Sequence, residues 1–327
     1  MGESTTFLAG ASYVLGEHEA DHTSISNLTG LAEQFKLVVN PGLWGWGTIR
    51  TTGRELEDLA VRTGCATLRA AAADPASVDA LVLCSTRVPG PAEGHGEFVA
   101  SVLTGIGLGD IPCYGVSLNR CVNLLAGIDV ARALVACGRY QRILVITTDK
   151  VAEGADRMSQ FALFSDGAAS CLISRDLGSD GPAGDGRADD GPAGGTVSHP
   201  GGYELLGCAT AQDTASLEWT NQISADLARE VNERLLGPLG CKLGDVVALA
   251  HANIYIPLVV MKERQAGFTP QQLYTGNVPR LGHCFAADPL INLVDRAGLG
   301  HIGVDGYCLL AASVPGSRIG ALLRRVR

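Results

Sequence analysis

Apolar positions along the chain fall into short runs separated by longer amphipathic or Ala-rich stretches. TFLAGASYVLG predicts a strand with its turn, and GRELEDLAVRTGCATLRAAAA, rich in Ala, Leu, Glu and Arg, predicts a helix. VDALVLCST, RILVITTD and DGAASCLISR are apolar runs of strand length. Between the first two lies the stretch from Cys113 to Tyr140. It begins as a strand, turns at Asn119, Arg120 and Cys121, and continues over residues 122–137 as a helix apolar on nearly every face. Such a helix belongs between layers of a protein.

Residues 174–202, SRDLGSDGPAGDGRADDGPAGGTVSHPGG, break the pattern. This Gly/Pro/Asp tract has no periodicity and predicts a flexible surface insertion. Beyond it come the strand YELLGCATA, a helix over TNQISADLAREVNERLLGPLG, the strand VVALAHAN and a helix around PLVVMKERQAG. The segment GHCFAADPLINLVDRAGL and the strands GYCLLAAS and IGALLRR complete the chain. The two halves repeat one order of elements. That predicts an α/β protein of duplicated, layered architecture, with an N-terminal half over 1–173, the insertion over 174–202 and a C-terminal half over 203–327.

Composition narrows the class. The chain has 327 residues, 46% of them hydrophobic and 18% charged, which describes a packed core. Its ten cysteines are scattered without CxxC pairs, so no metal site is expected, and they indicate reduced thiols in a cytoplasmic setting. The N-terminus has no basic residues ahead of its apolar patch, and no apolar run reaches membrane-spanning length. A net charge of −9 argues against nucleic acid as a partner and supplies no overall attraction to an acidic carrier protein.

Three constellations can carry chemistry. Cys121 opens the buried helix, where backbone N–H groups and the helix dipole stabilise a thiolate or an oxyanion. His283 and Asp288 share a Gly-led loop entering a helix, and a carboxylate beside a histidine fixes its tautomer and stabilises its cation. His251 and Asn253 end a buried strand, where polar groups face a cleft. Each has a plain alternative: Cys121 as a packing residue, His283 as a hydrogen-bonded loop residue, Asp288 as a helix cap before Pro289.

In combination these residues carry a resemblance. The cysteine opening a buried helix, the later Ser165-Asp166-Gly167-Ala168 and the C-terminal AASVPGSRIGALLRR resemble the β-ketoacyl-[acyl-carrier-protein] synthase III family over nearly the whole chain. The resemblance implies the thiolase fold, with five α-β-α-β-α layers, and Cys121 as acyl carrier. It also implies a homodimer, and acyl-carrier protein or coenzyme A as thioester donor with no permanent cofactor. Trp46, Arg50 and Arg157 stand where the family binds the adenine and phosphates of coenzyme A. The loops from Arg87 to Phe98 and from Met158 to Phe164 are expected to line the acyl pocket. The family's Arg after its His-Gln-Ala-Asn motif is absent here, where the turn reads Ile254-Tyr255-Ile256; the nearest bases are Lys262 and Arg264.

The departures carry as much as the matches. Condensing members use His and Asn to bind a thioester enolate. Here the first motif is shortened to His251-Ala252-Asn253, and the second reads Gly282-His283-Cys284 with Asp288 a turn later. That pattern resembles an acyltransferase or starter-unit offshoot of natural-product biosynthesis. It implies transfer of the acyl group from Cys121 to a hydroxyl or amine of a small-molecule acceptor, with His283 and Asp288 as the base pair and Asn253 or His251 donating to the oxyanion. Two alternatives stand beside it: a starter-unit synthase condensing with malonyl-carrier protein, and a catalytically silent partner subunit.

Overall fold

The structure, a computed structural model, describes residues 5–86, 91–152, 156–177 and 195–327. In chain order the first half contains β1 (Phe7–Leu15), β2 (His18–Asp21), α1 (Leu28–Gln34), α2 (Pro41–Trp44) and β3 (Thr48–Thr51). It continues with α3 (Leu56–Ala70), β4 (Ala80–Cys84), α4 (His95–Ile106), β5 (Cys113–Val116), α5 (Asn123–Ala136), β6 (Arg142–Asp149) and β7 (Gly167–Ser174). The second half contains β8 (Thr196–Ser198), β9 (Gly202–Gln212), α6 (Ala225–Leu236), β10 (Val246–Ala250) and α7 (Ile256–Gln265). After them come α8 (Asn277–Leu281), α9 (Asp288–Gly298), β11 (Tyr307–Val314) and β12 (Ser317–Arg325).

Strand order shows the duplication directly. The first half runs β5-β4-β6-β7-β1 and the second β10-β11-β12-β9, joined where β1 pairs antiparallel with β9. β4 and β6 are parallel, as are β10 and β11; β6 with β7 and β7 with β1 are antiparallel, as are β11 with β12 and β12 with β9. Each half thus repeats one pattern, and among the described residues the second lacks a counterpart of β5. β1, β6 and β7 are buried on both faces, which is why they read as unbroken apolar runs and not as alternation.

The layers follow from the helices. α5 packs on β4, β6 and β7 of the first half and on β11, β12 and β9 of the second; α9 touches β1, β7, β10 and β11. These two helices fill the space between the half-sheets, with α3 and α4 outside the first and α6 and α7 outside the second. The expected five-layered α/β architecture is therefore the one observed. α5 meets the sheet closely, and at Gly127 a Cβ would stand 2.4 Å from the Cys84 sulfur. That absence lets α5 lie directly on β4.

Two expectations shift. The helix over TNQISADLAREVNERLLGPLG starts only at Ala225, because the Ser224 hydroxyl accepts from the N–H groups of Asp226 and Leu227 and caps it there. The tract 174–202 is not wholly irregular: Thr196–Ser198 pairs with β1, while residues 178–194 lie outside the described residues. All ten cysteines are free thiols, and no described helix is long and apolar enough to cross a membrane.

A buried arginine–glutamate ion pair ties together the second half. Arg318 of β12 donates to both carboxylate oxygens of Glu263 of α7, at 2.5 and 3.1 Å. Glu263→Ala leaves the guanidinium buried and uncompensated, so chemical denaturation should show a loss of about 3–5 kcal/mol. An unchanged denaturation midpoint would show that water replaces the carboxylate there.

Candidate active site

β5 ends at Val116, and the chain then twists through two left-handed residues, Leu118 (φ 74°) and Arg120 (φ 55°), before Cys121. Positive φ at side-chain-bearing residues is held only by surrounding contacts. Here Asn123 supplies them: its carbonyl accepts from Asn119 N (3.0 Å) and its amide donates to Ser85 O (2.8 Å). Arg120 reaches across to donate to Pro315 O at 2.6 Å, and its guanidinium lies over the Trp219 ring. Cys121 thus sits buried in a 3₁₀ turn that leads into α5, as its position in the sequence predicts.

His283 arrives from the second half. Gly282 before it has φ 65° and ψ −161°, and a Cβ there would meet Leu163 O at 2.9 Å. Only glycine fits that backbone. The peptide of His283 is then clamped between Leu163 O and Ser165 N, at 2.8 and 2.9 Å. Its ring packs against Phe164 and Phe285, with centroids 5.3 and 6.2 Å away. Its Nδ1 lies 2.5 Å from Asp288 Oδ2, and Cys121 is within hydrogen-bonding reach of the same ring. Burial disfavours the imidazolium, but the Asp288 carboxylate and the Cys121 sulfur outweigh it and push the His283 pKa up to about 10.

Asp288 is completely buried and accepts from four donors. Besides His283, they are Asn253 N (2.6 Å) and Cys284 N (2.8 Å), with the Asn253 side-chain amide at 3.3 Å. It occupies the first turn of α9, where the helix dipole favours negative charge. Cys121 and His283 together line a narrow cavity of about 20 Å³, walled by Phe161, Phe164, Trp219 and Ile223. From the expected pocket loops, Phe161 and Phe164 reach this wall; residues 87–90 lie outside the described residues.

The other expected residues are placed differently. The Asn253 amide faces Asp288, and His251 donates from Nδ1 to Ala252 O at 2.7 Å, which leaves its buried, unpartnered Nε2 without a proton to give an oxyanion. Burial lowers the His251 pKa. Trp46 is buried under Tyr255 and offers no open stacking face. Arg50 pairs with Glu19, and Arg157 makes a two-pronged ion pair with Asp166 at 2.8 and 2.9 Å. Asp166 also accepts from Thr52 N and Val151 N, so the Ser165-Asp166-Gly167-Ala168 segment is a structural knot. In this arrangement the three expected coenzyme A residues are committed to packing and ion pairs. Sequence reasoning missed Asn292, which donates to Asn253 Oδ1 (2.9 Å) and His251 O (2.6 Å). Its signal was present, since it stands four residues after Asp288 on one helix face.

Solved structures share this architecture throughout. ChlB3, an acyltransferase, superposes with a TM-score of 0.79 at 15% identity, covering 98% of both chains. The 3-oxoacyl-[acyl-carrier-protein] synthase III of Aquifex aeolicus gives 0.75 at 16% identity, over 98% of this chain and 99% of that one. The chain has the thiolase fold. Acetamide-bound OleA of Xanthomonas campestris is a further such neighbour, at 0.76 and 16% identity over 99% and 100%. Within this thiolase-fold chain, residues 117–184, which include Cys121 and Asp166, match the family model for 3-oxoacyl-[acyl-carrier-protein] synthase III. A β-ketoacyl-[acyl-carrier-protein] synthase III of Streptomyces coelicolor is 26% identical over 281 residues, 82% of each chain. That of Fusobacterium nucleatum is 31% identical over 118 residues, and the match spans 35% of its length and 36% of this chain.

Two measurements test this geometry. Gly282→Ala forces a glycine-only conformation, costing about 1–3 kcal/mol, and should slow iodoacetamide labelling of Cys121 by displacing His283. Labelling at the original rate would show that the loop adapts. Second, a histidine raised from 6.5 to about 10 on folding stabilises fully below pH 6.5 and loses that contribution as pH rises toward 10. Urea unfolding across that window should decline more steeply for the wild type than for His283→Gln. Parallel curves would refute the raised value.

Proposed function

We propose that the protein is a thioester-dependent acyltransferase. The observation that carries this reading is the imidazole of His283, held by a buried carboxylate on one side and reaching Cys121 on the other. Cys121 sulfur attacks the thioester carbonyl, and the departing thiol of coenzyme A or phosphopantetheine takes the proton from the His283 imidazolium. The acyl group is now bonded to Cys121 and His283 is neutral. An acceptor hydroxyl or amine then gives its proton to His283 while its oxygen or nitrogen attacks the acyl carbonyl. Collapse of the tetrahedral adduct breaks the C–S bond and restores the thiolate beside the imidazolium.

The carboxylate partner separates this from condensation. A decarboxylating synthase generates its own carbanion and needs neutral donors for the enolate oxygen, not a base. Here the polar side chain of Asn253 is engaged with Asp288, and a carboxylate next to the site repels a malonyl group. The likeness to ChlB3 supports the acyltransferase reading, and the matches to synthase III proteins support thioester use. With the Asn253 amide engaged by Asp288 and His251 donating from Nδ1, the backbone N–H of Cys121 is the oxyanion donor in this reading. The strand edge left open at β5, at the end of the sheet, supports the homodimer that the family resemblance implies.

Intact-protein mass spectrometry after incubation with acyl-coenzyme A thioesters should show one acyl adduct in the wild type and none in Cys121→Ala. Asp288→Asn should still self-acylate while transfer to an acceptor amine or alcohol falls about 10²–10⁴-fold. Labelled CO₂ released from malonyl-carrier protein would favour the synthase instead, and no adduct from coenzyme A or carrier thioesters would leave a silent subunit.

A further inference from the structure

Behind Asp288 lies a chain of three buried asparagines whose direction is fixed at both ends. Arg280 of α8, which can only donate, gives two hydrogen bonds to Asn277 Oδ1, at 3.0 and 2.6 Å. The Asn277 amide must therefore face the other way, and it donates to Asn292 Oδ1 and to the Asp295 carboxylate, both at 2.8 Å. Asn292 in turn donates to Asn253 Oδ1 (2.9 Å) and to His251 O (2.6 Å), a carbonyl that can only accept. With its oxygen taken, Asn253 has only its amide nitrogen to present to Asp288 Oδ1. Asn253, Asn277 and Asn292 are all essentially inaccessible to solvent, so no water can substitute for a misdirected amide.

We infer that Arg280, Asn277, Asn292 and Asn253 form a one-way hydrogen-bond relay that holds Asp288 as an acceptor and so keeps a proton of His283 on Nδ1, leaving Nε2 as the nitrogen that gives up and takes back a proton toward Cys121. The inference rests on the Cys121–His283–Asp288 reading above and extends it to residues that touch no substrate. Asp288 receives donors at both oxygens: Cys284 N and the Asn253 amide at Oδ1, Asn253 N and His283 at Oδ2. Three of these donors, Cys284 N, Asn253 N and the Asn253 amide, cannot become acceptors, so together they favour the carboxylate over the carboxyl. The relay therefore weighs against the alternative in which the carboxyl donates to Nδ1 and the imidazole is reversed. Asn253 and Asn292 are thus positioning residues, and Asn253 serves the base and not the oxyanion. Charged or titratable groups facing His283 are Asp288 and Cys121; those felt at the neighbouring Cys284 and His251 are Asp166, Arg50, Arg280, Glu263 and Arg318.

Two measurements on the full-length chain test the relay without any acyl substrate. Nuclear magnetic resonance of isotope-labelled histidine, with the His283 signal assigned by its loss in His283→Ala, reports which ring nitrogen holds the proton. The expected result is a proton on Nδ1 whether the ring is neutral or cationic, and a bare Nδ1 overturns the inference. The second is the pH profile of Cys121 alkylation by iodoacetamide in the wild type, Asn292→Leu and His283→Ala. Once Asn253 is free to turn, the thiolate–imidazolium pair is less favoured, so the Asn292→Leu midpoint should rise by about one pH unit, making alkylation roughly tenfold slower near neutrality. The curves should converge at high pH, whereas a site merely loosened reacts more slowly at every pH. A folded Asn292→Leu protein superimposable on wild type, with His283→Ala displaced, overturns the relay and leaves the triad standing. Coincident His283→Ala and wild-type curves overturn the triad and the relay with it. If Asn292→Leu does not fold, the same alkylation profile is read on Asn292→Ala, which removes the amide with a smaller side chain, and a profile superimposable on wild type overturns the relay.

Discussion

A carboxylate with no contact to solvent is the constraint around which the rest of the molecule is arranged. An isolated charge buried like Asp288 costs several kcal/mol unless every lone pair is met by a donor. The donors come from three places: the residue just past β10, the turn that follows α8, and the ring of His283. None of these segments could drift without exposing the charge to an apolar wall. The electrostatic requirement of one side chain therefore fixes the end of β10, the start of α9 and the glycine-led loop between Leu281 and Cys284.

That loop is also where the two halves of the duplicated fold meet chemically. Leu163 and Ser165, from the first half, bracket the His283 peptide, and Arg50 N donates to the Ser165 hydroxyl that in turn donates to Leu281 O. The nucleophile sits in the turn that opens the helix between the sheets, the base on the opposing half. Sheet order, helix layering and the glycine at 282 converge on a short distance between a sulfur and an imidazole. The aromatic walls of Phe164 and Phe285 keep that distance dry, which strengthens the Asp288–His283 interaction.

How much of this is legible in the chain depends on whether the information is local. The apolar runs of β1, β4, β6 and β7, the all-round apolar α5 and the turn at Cys121 were readable because each is encoded within its own segment. His283 and Asp288 were readable for the same reason, being five residues apart. Trp46, Arg50 and Arg157 looked like a ligand-binding set because Trp and Arg have the right chemistry, but Tyr255 lies far along the chain from Trp46, Glu19 lies across a strand pair from Arg50, and Asp166, though near Arg157 in sequence, meets it only because the intervening loop folds back. Whether an arginine is free or committed is a fact about its neighbours in space. Asn253 shows the same limit: its residue type suits an oxyanion donor, and only the fold reveals that its amide is already used.

The asparagine relay extends that point from packing to protonation. Charge alone would let Asp288 and His283 share a proton in either sense, and a raised imidazole pKa does not say which nitrogen carries it. The direction comes from groups that cannot change roles: a guanidinium at one end, and a carboxylate and a main-chain carbonyl along the way. Asp288, Asn292 and Asp295 occupy one face of α9, so a single helix carries the acceptor at the active site, the amide that orients Asn253, and the carboxylate that anchors Asn277. A base built this way needs no reorganisation when the proton of an acceptor arrives, because the side chains behind it have only one arrangement that satisfies them all.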